Sequence, residues 1–140
     1  MKRTASAEWK GGLRDGKGTI SSASGVLNNT QYSFSTRFED GIGTNPEELV
    51  AAAHAGCFTM ALSAELGKAE FTPESLNTTA TLTMERLEQG WTTTLIHLEV
   101  KARISGIEDA KFQEIAKGAK AGCPISRLLN TEITMDAQLV

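Results

Sequence analysis

Apolar and polar residues change period several times along this chain, and the changes divide it into elements. The first third carries short β-prone segments, Ala5 to Lys10, Gly18 to Ser22 and Gln31 to Phe38. Between them lie Gly11-Gly12, Asp15-Gly16 and Asn28-Asn29, residues that tolerate the positive φ of tight turns, so the segment predicts a meander of three strands. At Thr44-Asn45-Pro46-Glu47-Glu48 the pattern becomes helical. Asn45 can cap with its side chain, Pro46 suits the first helical position, and the two acids complement the helix dipole. The helix is predicted from about Pro46 to Leu66, with Gly67 as its C-terminal cap. Its middle, Ala51 to Leu62, is apolar nearly all round, which predicts burial between layers.

After Pro73 the period returns to two. Leu76, Thr78, Ala80, Leu82 and Met84 alternate in one strand, and Ile96, Leu98, Val100, Ala102 and Ile104 alternate with polar residues in the next. Gln89-Gly90 marks a hairpin turn between two long antiparallel strands. Ile107 to Ala121 predicts a second helix with an apolar stripe of Ile107, Ala110, Ile115, Ala116 and Ala119. Cys123-Pro124 restarts a short helix through Leu129, and Ile133, Met135, Ala137 and Leu139 alternate in a last strand. The order βββ-α-ββ-αα-β is an α+β layout, and no repeat, linker or low-complexity tract divides residues 1–140, so a single domain is expected.

Composition narrows the partners. Lys and Arg number 14 against 17 Asp and Glu, a net charge of −3, which argues against nucleic acid or an anionic membrane surface. The longest apolar stretch, Leu49 to Leu62, is interrupted by His54, Gly56 and Thr59 and falls short of the ~20 residues that span a bilayer, so no membrane helix is expected. Lys2 and Arg3 are followed by no apolar run like that of a secretory signal, and a cytoplasmic location is expected. In a reducing compartment the two cysteines, Cys57 and Cys123, would be core residues, metal ligands or redox groups rather than a staple.

Each candidate has a plain reading beside a chemical one. Cys57, inside an apolar helix, could simply be buried. Cys123 directly precedes Pro124 at a helix start, where unpaired N–H groups lower a thiol's pKa, yet it could be an inert cap. His54 and Cys57 stand three residues apart on one helix, suiting a Cys–His nucleophile pair or a core histidine. Adding His97 and Cys123 gives potential zinc ligands without the close paired spacing zinc sites use, so no metal is expected. Glu47 can be a surface acid at the helix start, and Arg37 a solvated charge.

The stretches TRFEDGIGTNPEELVAAAHAGCFTMAL (Thr36 to Leu62), KGAKAGCPISRLLNTEIT (Lys117 to Thr134) and GKGTISSASGVLNNTQYSFSTRFE (Gly16 to Glu39) resemble the OsmC family of thiol peroxidases. The sister group, the organic hydroperoxide resistance (Ohr) proteins, shares the Asn-Pro-Glu helix start and both cysteines, but takes its arginine from an earlier loop, where this chain has Arg14. The resemblance implies antiparallel sheets wrapped around central helices in an intertwined homodimer. It also implies a cofactor-free peroxidase acting on organic hydroperoxides and hydrogen peroxide. Cys57 corresponds to the peroxidatic cysteine, Cys123 to the resolving cysteine, and Arg37 with Glu47 to the pair that activates the thiol. A dithiol reductant is implied, and lipoyl-bearing proteins are what the Ohr branch suggests. Helical rise puts Glu47 about 15 Å from Cys57, too far for one site on a straight helix, so either a bend or a partner subunit is expected. The competing classes are a non-catalytic dimeric binding module for a hydrophobic small molecule and a Cys57–His54 hydrolase.

Overall fold

Strands β1 (Ala5–Lys10), β2 (Lys17–Ser22) and β3 (Thr30–Tyr32) form an antiparallel sheet in that order. The computed structural model describes all 140 residues, Met1–Val140, in two compact units, Met1–Leu49 and Val50–Val140. In the first unit, Gly11 and Asn29 take the positive φ their turns require, at 93° and 50°. Gly16 serves differently, since a Cβ there would collide with the Gly12 carbonyl oxygen. Trp9 and Tyr32 pack across the sheet with ring centroids 5.4 Å apart.

The third strand is shorter than expected. Ser33 ends it by capping a short helix, α1 (Phe34–Phe38): its Oγ accepts from the Thr36 N–H at 3.3 Å, and Thr36 Oγ1 accepts from the Ser33 N–H at 2.8 Å. Phe34 and Phe38 stand four apart and stack at 4.9 Å, a helical contact that alternation would not give.

Helix α2 (Pro46–Lys68) starts as expected: Asn45 Oδ1 accepts from the Glu48 N–H at 2.7 Å, and Pro46 fills the first position. It ends later than expected. Gly67 lies inside the last turn, and the reversal falls on Glu70 at φ 64°, with the Phe71 N–H donating to the Leu66 carbonyl at 2.9 Å. The boundary between the two units falls inside α2.

In the second unit β4 (Ser75–Leu87) pairs antiparallel with β5 (Gly90–Arg103), with a bulge at Thr83/Met84. The turn residues are Glu88 and Gln89, and Gly90 already pairs with Leu87. After α3 (Asp109–Gly122) and α4 (Pro124–Leu128), β6 (Glu132–Leu139) joins the other edge of β5. That pairing is parallel, so the expectation of purely antiparallel sheets is corrected. A helical crossover between β5 and β6 returns the chain to the end where β5 began, which parallel pairing requires. The element order is as expected apart from the added α1.

The core of this unit joins Ile96, Leu98, Val100 and Ala102 of β5 to Phe58, Leu62 and Leu66 of α2, to Phe112, Ile115, Ala116 and Ala119 of α3, and to Cys123. Alternation in β5 therefore marked the core face correctly, while in α3 Phe112 takes the place expected for Ala110, which is exposed. On α2 only every fourth residue, His54, Phe58, Leu62 and Leu66, is buried. The expected burial on all sides is absent within one chain; Met60 is 77% exposed. The apolar run read from the sequence ended at Leu62, but the 23-residue helix contains an 18-residue window with a mean hydropathy of 1.4. By length and composition alone that would reach across a bilayer, and it equally suits a core helix covered on both sides.

Candidate active site

Two pairs of the expected residues come together, one in each unit. In the first unit α1 carries Arg37 and the first turn of α2 carries Glu47. The guanidinium grips the carboxylate with two of its three nitrogens: Nη2 donates to Oε1 at 2.6 Å, and Nε donates to Oε1 and Oε2 at 3.0 and 3.2 Å. A planar fork of this kind fixes orientation as well as charge. The capping residue adds rigidity, because Asn45 Nδ2 donates to the Thr36 carbonyl at 2.9 Å and so ties the start of α2 to α1. Arg14 stacks its guanidinium on Phe34 at 4.8 Å, whereas Arg37 stacks on Phe38 at 5.2 Å and holds Glu47. An apolar cavity of about 230 Å³ lies beside this pair, lined by Trp9, Leu13, Tyr32, Phe34, Arg37 and Phe38.

In the second unit Cys57 of α2 meets Cys123, which lies between α3 and α4, with 3.2 Å between the sulfurs. Both are free thiols; Cys123 is buried and Cys57 half-buried. Burial pushes the Cys57 pKa up, the Ile125 N–H offsets part of that, and Cys123 adds to the rise, leaving Cys57 above its ordinary value. At Cys123 burial also acts upward, but the Ser126 N–H, the Cys57 thiol, the Ser126 hydroxyl and the Ile125 N–H outweigh it, leaving Cys123 below its ordinary value. At van der Waals contact two sulfurs cannot both ionise freely, so charge on one suppresses charge on the other.

The histidines do not join the thiols. His54 is fully buried and its Nε2 lies 2.7 Å from Ser126 Oγ on α4, while its Nδ1 is buried with no hydrogen-bond partner. Burial lowers the His54 pKa, so the ring is neutral. The Cys57–His54 nucleophile pair is therefore not formed. His97 sits on the sheet with Nδ1 2.8 Å from Thr134 Oγ1 and Nε2 3.4 Å from Asp136, and no cluster of His, Cys, Asp and Glu gathers that could hold a metal ion. Ser126 was missed in the sequence. Its signal is the spacing Cys123-Pro124-Ile125-Ser126, which puts a hydroxyl in the first turn of the short helix that follows Cys123.

Residues 39–138 match the model of the OsmC-like protein family. Peroxiredoxin OsmC of Escherichia coli (strain K12) is 50% identical over 139 residues, covering 99% of this chain and 97% of that protein. An organic hydroperoxide resistance protein-like sequence of Mycoplasma pneumoniae is 31% identical over 90 residues, 63% of this chain and 61% of the other. Among solved structures, an OsmC-like protein of unknown function from Vibrio cholerae superposes with a TM-score of 0.79 at 17% identity, covering 99% of each chain. An organic hydroperoxide resistance protein from Elizabethkingia anophelis gives 0.76 at 24% identity, covering 100% of this chain and 99% of that one. Shared fold, 50% identity to a peroxiredoxin over nearly the full length and a family match across both cysteines converge on one assignment: the chain belongs to the OsmC family.

Proposed function

We propose that the protein is a cysteine-based peroxidase that reduces organic hydroperoxides, and hydrogen peroxide, through a sulfenic acid and an intramolecular disulfide. The observation that carries this reading is the contact of Cys57 with Cys123 across two elements 66 positions apart, at 3.2 Å, with both sulfurs free. A disulfide needs the sulfurs to close to about 2.05 Å, a small movement from contact.

Cys57 is the attacking sulfur in this scheme. Its thiolate attacks the peroxide O–O bond, releases an alcohol or water and is left as a sulfenic acid; Cys123 then displaces the hydroxyl to form the disulfide, which blocks overoxidation. A cellular dithiol reduces the disulfide and closes the cycle. Because burial and Cys123 both oppose ionisation of Cys57, the scheme needs a cation beside it, and Arg37, oriented by Glu47, is the group with the right chemistry. The cavity beside Arg37 is lined by aromatic rings and suits the organic part of a hydroperoxide.

Glu47 and Cys57 share one helix at a separation of about 15 Å, and an intertwined homodimer with two interfacial sites resolves that distance. The uncovered side of α2 supports it: Met60 is 77% exposed, and nothing fills the space beside Gly56 and Gly67. We read the chain as one domain, since α2 begins in one unit and continues through the other.

One equivalent of cumene hydroperoxide followed by mass spectrometry tests the reading. Loss of both thiols with a Cys57–Cys123 link is expected, and Cys57→Ser is expected to consume no peroxide. Arg37→Lys should cut turnover by more than Arg14→Lys, because a lysine cannot fork onto Glu47. Two titratable thiols surviving in the wild-type protein would instead mark a binding module.

A further inference from the structure

His54 is the buried ionisable group that the peroxidase scheme leaves without a task. It stands on the core stripe of α2, four residues before Phe58, where an aliphatic side chain would be the plainer filling. Its Nε2 lies 2.7 Å from Ser126 Oγ, 72 positions away on α4. The sulfur pair, Cys57 with Cys123 at 3.2 Å, joins the same two segments.

These two contacts share one register. Cys57 comes three residues after His54 on α2, and Cys123 comes three residues before Ser126 at the start of α4. The segments therefore run antiparallel past each other, and the hydrogen bond and the sulfur pair are successive rungs about one helical turn apart.

The hydrogen bond gives α4 what packing does not. Its five residues are too few to hold a helix alone, and Cys123 at its start makes no side-chain capping bond. Cys123 follows α4 through the backbone, since its carbonyl accepts from the Arg127 N–H at 3.0 Å. Ile125 and Leu129 pack on the core, but apolar contact has no direction, whereas a hydrogen bond weakens steeply with distance and angle. The bond also has a defined donor. His54 Nδ1 is buried without a partner, and an orphaned buried N–H costs more than a bare lone pair, so the proton sits on Nε2 and is donated to Ser126 Oγ.

We infer that the hydrogen bond from His54 to Ser126 is a register clamp between α2 and α4 that holds Cys123 against Cys57, so that both are positioning residues for disulfide closure. The role rests on the peroxidase reading; the clamp itself does not. In the step served, the Cys123 thiol gives up its proton and its sulfur attacks the sulfur of Cys57–S–OH. The S–S bond forms, the S–O bond breaks, and hydroxide leaves with that proton as water. The sulfenic sulfur is reduced and the Cys123 sulfur oxidised, so no other oxidant or reductant enters. A disulfide needs the sulfurs to close from 3.2 Å to about 2.05 Å, a movement that stays small only while α4 does not slide along α2.

Peroxide cleavage belongs to Cys57 alone, so the two halves of the reaction can be read separately. After one equivalent of cumene hydroperoxide, Ser126→Ala should cleave peroxide at the wild-type rate but close the disulfide about fivefold more slowly, the equilibrium worth of one neutral hydrogen bond. Dimedone should trap the Cys57 sulfenic acid that accumulates. His54→Leu should slow closure equally and the double variant no further, because either change removes the same bond. Ser126→Thr and His54→Gln, which keep the hydroxyl and an N–H donor, should restore closure. From neutral pH upward the slowing should be constant, since register and not charge is lost. Unchanged closure in Ser126→Ala, additive slowing in the double variant, or a slowing that disappears at alkaline pH would overturn the inference. Ser126 is half-buried, so its alanine variant decides the matter even where His54→Leu fails to fold. Equilibration with reduced and oxidised dithiothreitol forms the disulfide without peroxide, and there Ser126→Ala should lower the equilibrium constant for the Cys57–Cys123 bond by about the same factor; an equal constant in the two proteins would remove the clamp. If the wild type keeps both thiols after peroxide, the peroxidase reading falls, while this equilibrium still shows whether the clamp sets the register.

Discussion

Three side chains, Cys57, Cys123 and His54, carry opposite responses to burial. Burial raises the Cys57 thiol and lowers the imidazole, both in favour of the neutral form, whereas at Cys123 the polar hydrogens of Ser126 and Ile125 overcome it. A sulfur that burial keeps protonated is a poor nucleophile by itself, which is why the proposed scheme gives Arg37 its task. His54 also has a consequence for stability. Its folded pKa lies below its unfolded value, so the unfolded chain takes up a proton first as pH falls. Stability is therefore full above the unfolded pKa of about 6.5 and declines as pH drops below it, by at most about 1.4 kcal/mol per pH unit. Thermal midpoints measured between about pH 5 and 8 should show this decline in the wild type and a shallower one in His54→Gln; equal slopes would mean that His54 is protonated equally in both states. The resemblance singled out the two cysteines, but nothing in the sequence pointed to the partner of His54. In one dimension Cys57 is its neighbour at three positions, and only folding brings in Ser126 from 72 positions away.

Among the elements, the start of α2 joins sequence to chemistry most directly. Asn45 caps the helix with its oxygen and ties α1 with its nitrogen, one side chain serving both the helix carrying Glu47 and the helix carrying Arg37. Asn45→Ala should cost about 1 kcal/mol of stability, as loss of a cap does, and also lower turnover. Asn45→Asp keeps the capping oxygen and loses the donor to the Thr36 carbonyl, so chemical denaturation should find it near wild type while turnover still falls. Equal turnover in wild type and Asn45→Asp would show that the tie to α1 does not matter. The cap was readable because Asn-Pro-Glu-Glu is a local signal. Helix α1 was not read, because Gln31 to Phe38 is rich in aromatic and β-prone residues and the Ser33–Thr36 capping box offered the backbone a competing set of hydrogen bonds.

For the whole molecule, the open question set by α2 is what covers it. A helix this apolar, buried within one chain only along a stripe of every fourth residue, leaves Met60 and the small residues around it to water. In the proposed dimer the second copy covers that face. Sedimentation at micromolar concentration is expected to give twice the chain mass, and Met60→Lys to shift it toward one, because a buried ammonium without a partner is costly. A wild-type monomer would remove the shared sites from the scheme.

By itself the sequence determined what depends on neighbours a few positions apart: the alternating core face of β5, the capped start of α2 and the α+β order of elements. Its resemblance to a family also named both cysteines and the Arg37–Glu47 pair. Tertiary structure decided what depends on closure across long loops: the parallel seat of β6 beside β5, the contact of two sulfurs 66 positions apart, and the capture of His54 by Ser126. Local backbone and capping preferences are written in adjacent side chains. A contact between distant ones is set by how helices and sheet pack together, and no periodicity records it.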